Sequence, residues 1–414
     1  MPSEAPAQIF LLHFSGPDKP GLTAALSKVL AEHPVRILDV GQAVVHENVS
    51  LGILVEVPAD TFTGVRSALH DCAHELGLLA RFTPIAADAL HHWLHGLGRR
   101  HFIITVLGRS VTAAQLARVS STIAAHEMNI ERIDRLSGEL SPQDAPANAC
   151  IELAVCGDPY RELSLRSALM TAAQDLSIDI AFQRESIFRR NRRLFAFDMD
   201  STLIQGEVID ELAKMAGVGE QVAKITEAAM RGELDFDGSF TRRLALLKGL
   251  PAQCAHSLLN SIPLAEGAER LIRTLKLLGY KTAILSGGFQ FFARSLQQRL
   301  GIDYVYSNEL EIEDGVVTGR VIPPIINGAK KAELLREIAE REGISLEQAV
   351  AVGDGANDIP MLSLAGMGIA YRAKPRVRQK ADQSISFLGL DGLLYLIGVR
   401  DIDLRPHEQR FQDL

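Results

Sequence analysis

The stretch FAFDMDSTLIQGE, residues 195–207, ends a run of strand-like apolar residues on two aspartates, Asp198 and Asp200, one residue apart. Neighbouring carboxylates repel each other and are costly to desolvate, so a strand that ends this way implies a cation beside it. Asp198, Asp200 and Thr202 alternate at the period of a strand and would face one side of the chain if strand geometry persisted. Downstream, further apolar strands alternate with helical stretches: YKTAILSGG, DYVYSNEL, QAVAVGDGAND and GMGIAYRA. That alternation predicts an α/β fold with a doubly wound parallel sheet, in which ligands sit at the carboxyl ends of the strands. Roughly seventy residues of helical pattern separate the first two strands, well beyond a usual crossover, and read as a helical cap insertion able to act as a lid.

Two more strand ends carry the same signature. AILSGG places Ser286 after a strand, and Gly287 and Gly288 leave backbone amides bare enough to cradle a phosphate oxygen. AVGDGAND adds Asp354 and Asp358; an EF-hand loop is excluded because its twelfth position, counted from Asp354, is Ala365. Several carboxylates in one cleft call for a hard divalent cation, and oxygen ligands that leave room for waters favour magnesium. With that cation Asp198 stays ionised, while Asp200 among other carboxylates is pushed toward the protonated form, which separates a nucleophile from a general acid/base. In NGAKKAELL a lysine can neutralise a phosphoryl group from the opposite side, and spacing alone leaves Lys330 and Lys331 open.

Within the insertion Phe236, Phe240, Arg243 and Leu247 follow one helical face. A guanidinium on an apolar stripe requires a carboxylate partner, either a nearby acidic side chain or a substrate carboxylate. Glu207 has two readings as well: it favours the start of the following helix through the dipole, or it binds a substrate ammonium.

The N-terminal part contains a repeat. VRSALHDCAHELGLLARF at 65–82 matches LRSALMTAAQDLSIDIAF at 165–182, displaced by 100 residues from Arg66 to Arg166, whereas HPVRI and HEMNI are displaced by 93 from Ile37 to Ile130. The difference falls on SGELSPQDAPAN, read as a lengthened hairpin loop. Each copy reads strand, helix, strand, strand, helix, strand, the split βαβ pattern of α+β ferredoxin-like folds. The expected division is residues 1–90 and 100–183 for the two copies and 184–414 for the α/β part, with the cap at about 207–262. The connector QRESIFRRNRR reads as solvated, with Arg189, Arg190, Arg192 and Arg193 on its surface. His91 and His95 in HHWLH have zinc spacing but lack a third ligand.

Composition narrows the function. The 414 residues are 47 % hydrophobic and 23 % charged with a net charge of −8, which argues against a nucleic-acid partner. No apolar run is long enough for a membrane span and no signal peptide is read. Four cysteines without a CxxC pair fit a reducing, cytoplasmic setting.

DMDST, LSGG, the lysine of AKKAE and GDGAND together resemble the four motifs of the haloacid dehalogenase superfamily, and the resemblance continues through the insertion to its phosphoserine phosphatases, covering roughly residues 185–400. It implies magnesium-dependent hydrolysis of O-phospho-L-serine to L-serine, the last step of serine biosynthesis, through an aspartyl phosphate on Asp198. Asp200 is then the general acid/base. The metal is implied at the Asp198 carboxylate, the Asp200 carbonyl and Asp354, with Asp358 in support. Ser286, Gly287, Lys331 and Asn357 are implied around the phosphoryl group, Lys331 being the lysine that aligns. Glu207 is implied at the substrate ammonium, Arg243 at its carboxylate, and Met230 and Phe236 around them. GPDKPGLTAALSKVL at 16–30 is similar to the opening of ACT domains, regulatory modules that bind amino acids and dimerise, so L-serine or another amino acid is an implied effector and a homodimer the implied assembly. The second copy, LGRSVTAAQLARV, lacks the Asp-x-Pro-Gly turn. The alternatives are a relative acting on another small phosphomonoester, a phosphotransferase, or an amino-acid sensor with a vestigial phosphatase domain, against which the intact aspartate, serine and lysine set argues.

Overall fold

The computed structural model describes residues 7–86, 88, 100–138, 148–231 and 233–408. The chain forms two compact units, Met1–Arg99 and Arg100–Leu414. The HHWLH segment and the centre of the expected lengthened loop lie outside the described residues.

In the first unit, β1 (Ala7–Pro17), β2 (Arg36–Val45), β3 (Asn48–Pro58) and β4 (Leu79–Ile85) form an antiparallel sheet in the order β2-β3-β1-β4. Alternation decides which face is covered: Val49, Leu51, Ile53, Val55 and Val57 of β3 are all buried against helices Leu22–Ala31 and Phe62–Leu76. The second unit begins with the same arrangement. Strands β5 (Arg100–Gly108), β6 (Asn129–Arg135), β7 (Ala149–Gly157) and β8 (Asp179–Arg184) pair in the order β6-β7-β5-β8. The repeat in the sequence is a repeat in structure, since the helix Phe62–Leu76 recurs as Glu162–Leu176.

The two copies differ in their other sheet face. Residues Phe102–Gly108 of β5 are buried without interruption, because Leu107, Cys150 and Ala181 join the core of the α/β sheet that follows. Asp179 accepts from the backbone amides of Ser386, Phe387 and Leu388 at 2.7, 3.0 and 3.1 Å. Gln383 bonds both backbone groups of Phe182. The connector departs from its reading as a solvated linker: Arg189 is 1 % exposed and ion-paired with the buried Glu152, and Arg192 is 9 % exposed and donates to the Glu347 carbonyl. It runs through the interface between the second ferredoxin-like copy and the large sheet, where Arg189 and Arg192 are used inward while Arg190 and Arg193 stay exposed as the solvated reading expects.

The large sheet contains β9 (Leu194–Phe197), β10 (Lys281–Phe289), β11 (Tyr304–Glu313), β12 (Val316–Ile322), β13 (Ala349–Gly353), β14 (Met367–Tyr371) and β15 (Gln383–Ile385). Their order is β12-β11-β10-β9-β13-β14-β15, parallel except for the antiparallel pair β11–β12. The central strands β9, β13 and β14 are buried at every residue, which is why they read as uninterrupted apolar runs. The chain is therefore α/β with a doubly wound sheet and a helical insertion, preceded by two α+β ferredoxin-like domains. Helices Val208–Met215, Gly219–Met230, Phe236–Ala245 and Ala252–Ser257 make up the insertion after β9. No helix among the described residues is long and apolar enough to cross a membrane.

Candidate active site

The site lies at the carboxyl ends of β9, β10 and β13, where a parallel sheet leaves its strand ends open to a ligand. Strand β9 stops at Phe197 and its geometry does not persist: Ser201 turns left-handed at φ 56°, closed by its amide on the Gly206 carbonyl at 2.9 Å. Asp198 and Asp200 therefore diverge. Asp198, 6 % exposed, accepts from Lys331 Nζ at 2.8 Å. The Asp200 carboxylate accepts from the Val208 amide at 2.9 Å, at the start of a cap helix. Thr202 reaches Asp354 at 3.4 Å.

Lys331 occupies the helix Gly328–Arg341 and is fully buried, bridging Asp198 and, at 2.6 Å, Asp358. Burial alone would lower its pKa, but the two carboxylates overcome that and hold it firmly protonated. Lys330 points elsewhere, to Glu333 and Glu337. Asp358 uses its second oxygen on the Gly355 amide at 2.9 Å.

Burial pushes Asp200 up to about 8, with the Asp198 charge adding to it. Asp354 is also pushed to about 8, first by burial and then by Asp358 and Asp198. Oxygens of Asp198, Asp354 and Asp358 lie within 4.8 Å of one another. One lysine cannot neutralise this many carboxylates. The all-oxygen donor set fits a hard divalent cation, and because Asp358 is engaged by Lys331 and Gly355, Asp198 and Asp354 are the side chains best placed to hold it.

On β10, Ser286 is fully buried, and its hydroxyl accepts from the Gly288 amide at 2.9 Å, so that amide orients the serine instead of standing bare. The glycines are required by close approach. A Cβ on Gly287 would meet Phe236 Cζ at 2.5 Å, and one on Gly288 would meet Asp200 Oδ2 at 2.2 Å. Asn308, absent from the sequence reading, donates to the Gly287 carbonyl at 2.8 Å and accepts from the Ile326 amide at 2.7 Å. Its only signal is a polar residue in a β strand. Asn357 is half-buried beside Gly355.

The cap closes over these groups. Phe236 stacks on Phe240 at 5.9 Å between centroids, and Phe240 packs on Phe289 at 6.0 Å. Arg243 is 9 % exposed and donates to Glu207 at 3.3 Å, while its Nε is buried without a hydrogen-bond partner among the described residues. Burial raises the Glu207 pKa and Arg243 opposes that rise. The pair thus holds a carboxylate acceptor and a guanidinium donor that no other group among the described residues takes up. The Met230 side chain lies outside the described residues.

The sequence pattern of the haloacid dehalogenase-like hydrolases matches residues 195–363, and ACT domain patterns match residues 8–83 and 100–183. The chain is 42 % identical over 402 residues to phosphoserine phosphatase SerB2 of Mycobacterium tuberculosis, covering 95 % of this chain and 94 % of that protein. The chain belongs to the phosphoserine phosphatase family of haloacid dehalogenase-like hydrolases. A phosphoserine phosphatase of Streptomyces coelicolor is 41 % identical over 405 residues, covering 98 % of this chain and 95 % of its own length. Among solved structures, a HAD family hydrolase from Salmonella enterica serovar Typhi superposes with a TM-score of 0.61 at 33 % identity, covering 72 % of this chain and 99 % of that one. The phosphoserine phosphatase family thus extends over the ferredoxin-like copies as well as the sheet and its cap.

Proposed function

We propose that this chain hydrolyses O-phospho-L-serine to L-serine and phosphate with magnesium as cofactor. The observation that carries the reading is the pairing, in one cleft, of a lysine-bridged Asp198 with the capped, part-buried Glu207–Arg243 pair. A phosphate group fits the first and an amino acid the second. The substrate ammonium takes Glu207, its carboxylate takes Arg243, and each replaces the charge partner that the other side chain supplies in the free site.

Asp198 Oδ attacks phosphorus and the bond to the serine oxygen breaks. Asp200, held protonated by burial, delivers its proton to that oxygen, then takes a proton from the water that opens the aspartyl phosphate. Lys331, Ser286 and the Gly287 amide hold the phosphoryl oxygens, with Asn357 alongside. Phe236, with Met230, excludes water from the closed cleft. Asp198, the Asp200 carbonyl and Asp354 would hold the magnesium ion, supported by Asp358, and the ion would neutralise phosphoryl charge. The division into residues 1–90, 100–183 and 184–414, with a cap at about 207–262, accompanies this reading. So do a cytoplasmic homodimer and an amino-acid effector, L-serine first among them, at the ACT domains.

The test is magnesium-dependent phosphate release from O-phospho-L-serine by wild type, Asp198→Asn and Arg243→Ala. Expected is loss of all release in Asp198→Asn and, in Arg243→Ala, a loss confined to carboxylate-bearing substrates. Wild type that hydrolyses other phosphomonoesters but not phosphoserine overturns the roles of Glu207 and Arg243.

A further inference from the structure

The cap helix Phe236–Ala245 carries Arg243 near its end and Asp237 in its first turn. The Asp237 carboxylate accepts from Asn327 Nδ2 with both oxygens, at 3.2 and 3.1 Å. Asn327 is the N-cap of the helix Gly328–Arg341, and its Oδ1 accepts from the Lys330 amide at 3.1 Å, one residue before Lys331. The preceding residue, Ile326, is tied through Asn308 to the Gly287 carbonyl. One asparagine therefore joins the helix that reads the far end of the substrate to the helix that holds its phosphate.

We propose that Asp237 and Asn327 form the latch of the cap: positioning residues that set how much of the protein is closed and hence how tightly it holds a substrate read at both ends. Three features favour a latch over a fixed strut. Both side chains are half-buried, so water can replace the bond when the cap lifts. The contact is charge-assisted and made by both oxygens, which gives it direction and strength when closed. Beside it the Phe236 ring presses on Gly287 with no room for a Cβ, an apolar contact that lifting the helix would break. The substrate spans the same gap as the latch, from Lys331 to Arg243, so the two closures reinforce each other.

The proposal rests on the phosphoserine reading of the site and is tested on the full-length, magnesium-loaded protein. Asp237→Ala is expected to raise KM for O-phospho-L-serine roughly tenfold with kcat unchanged or higher, the scale of one hydrogen bond to a charged group. Its kcat/KM for p-nitrophenyl phosphate, which has no group for Arg243, is expected to stay at the wild-type value. Asn327→Asp keeps the cap acceptor for Lys330 but sets carboxylate against carboxylate, and is expected to show the same KM rise. Combining Asp237→Asn with Asn327→Asp restores one donor and one acceptor, and is expected to recover KM. Hydrogen–deuterium exchange of residues 236–245 should follow the same order: fast in each single variant, slow in the combination. Unchanged KM in the single variants, a parallel loss on p-nitrophenyl phosphate, or no recovery in the combination overturns the latch. If wild type does not hydrolyse phosphoserine, the functional reading fails on that arm alone, and the exchange pattern decides the latch.

Discussion

Lys331→Met removes the fully buried cation between Asp198 and Asp358 while keeping a side chain of similar length. Breaking a buried ion pair by deleting one partner costs about 3–5 kcal/mol, because the remaining charges stay desolvated. At about 2.1 cal/mol/K per residue, the unit Arg100–Leu414 loses about 1.5 °C of Tm per kcal/mol, so the metal-free variant should melt about 5–8 °C below metal-free wild type. The loss must depend on pH. Asp358 is already raised to about 6 by burial and by the Asp198 charge, and losing the opposing lysine raises it further, a penalty that applies above the folded pKa and is relieved as pH falls through it. Calorimetry at pH 6 and pH 8.5 in EDTA should therefore find a smaller loss at the lower pH, and saturating magnesium should recover much of it by supplying charge to the same carboxylates. An equal loss at both pH values, untouched by magnesium, would mean that Lys331 matters for packing alone and would refute the electrostatic argument.

Gly288→Ala brings a Cβ within 2.2 Å of Asp200 Oδ2 and 2.7 Å of Met199 Cε. With Asp200 in its proposed role as general acid, displacing it costs about 10²–10⁴ in rate, so kcat should fall by at least about a hundredfold with far-UV circular dichroism unchanged; a variant keeping a tenth of wild-type kcat would contradict that role. The raised values near 8 for Asp200 and Asp354 also make the metal-free protein less stable as pH climbs toward 9, the sign expected for carboxyls with elevated folded pKa values. Magnesium affinity measured by calorimetry should strengthen over the same window as those protons are released, and an affinity flat from pH 6 to 9 would count against the acidic cluster as the metal site.

Residues that follow a strand were legible because a buried parallel strand is a continuous apolar run, and the polar residue that ends it is visible at once. That is how Asp198, Ser286 and Asp354 were singled out, and the structure brings them to one cleft, with Ser286 inside β10 just past Leu285, where its pairing with β11 shifts register. Strand β12 was missed although Asp314–Gly315 is a hairpin turn signal, because it is an edge strand whose alternating, half-exposed pattern differs from the continuous apolar runs of the central strands. Arg189 was misread as solvated because its partner, Glu152, lies 37 residues back in another domain, and no local pattern encodes a contact of that kind. Asp237 and Asn327, 90 residues apart, escaped for the same reason. The glycine clearances around Phe236 and Asp200 are a matter of packing distance, which periodicity does not carry.

The second ferredoxin-like copy is held to the catalytic sheet by more than its connector, and some of the bonds reach the base of the cap. Two crossings link core and cap, one outgoing at Leu203–Gln205 and one returning at Pro263–Ala265. They are paired to each other by the Ala265 amide on the Leu203 carbonyl at 2.8 Å and the Gln205 amide on the Pro263 carbonyl at 2.9 Å. The next residue, Glu266, bonds Arg372 of the sheet at 2.8 Å and Arg109 of the ferredoxin-like copy. Asn148 of that copy continues the chain of contacts to Asp391, which Arg270 joins to Asp401. Glu266 and Arg109 are about half exposed, so their pair contributes little stability by itself. Its consequence is geometric. A shift of the second copy against the sheet must either break these bonds or carry the returning crossing with it, and that crossing is paired to the segment on which Asp198 and Asp200 are mounted.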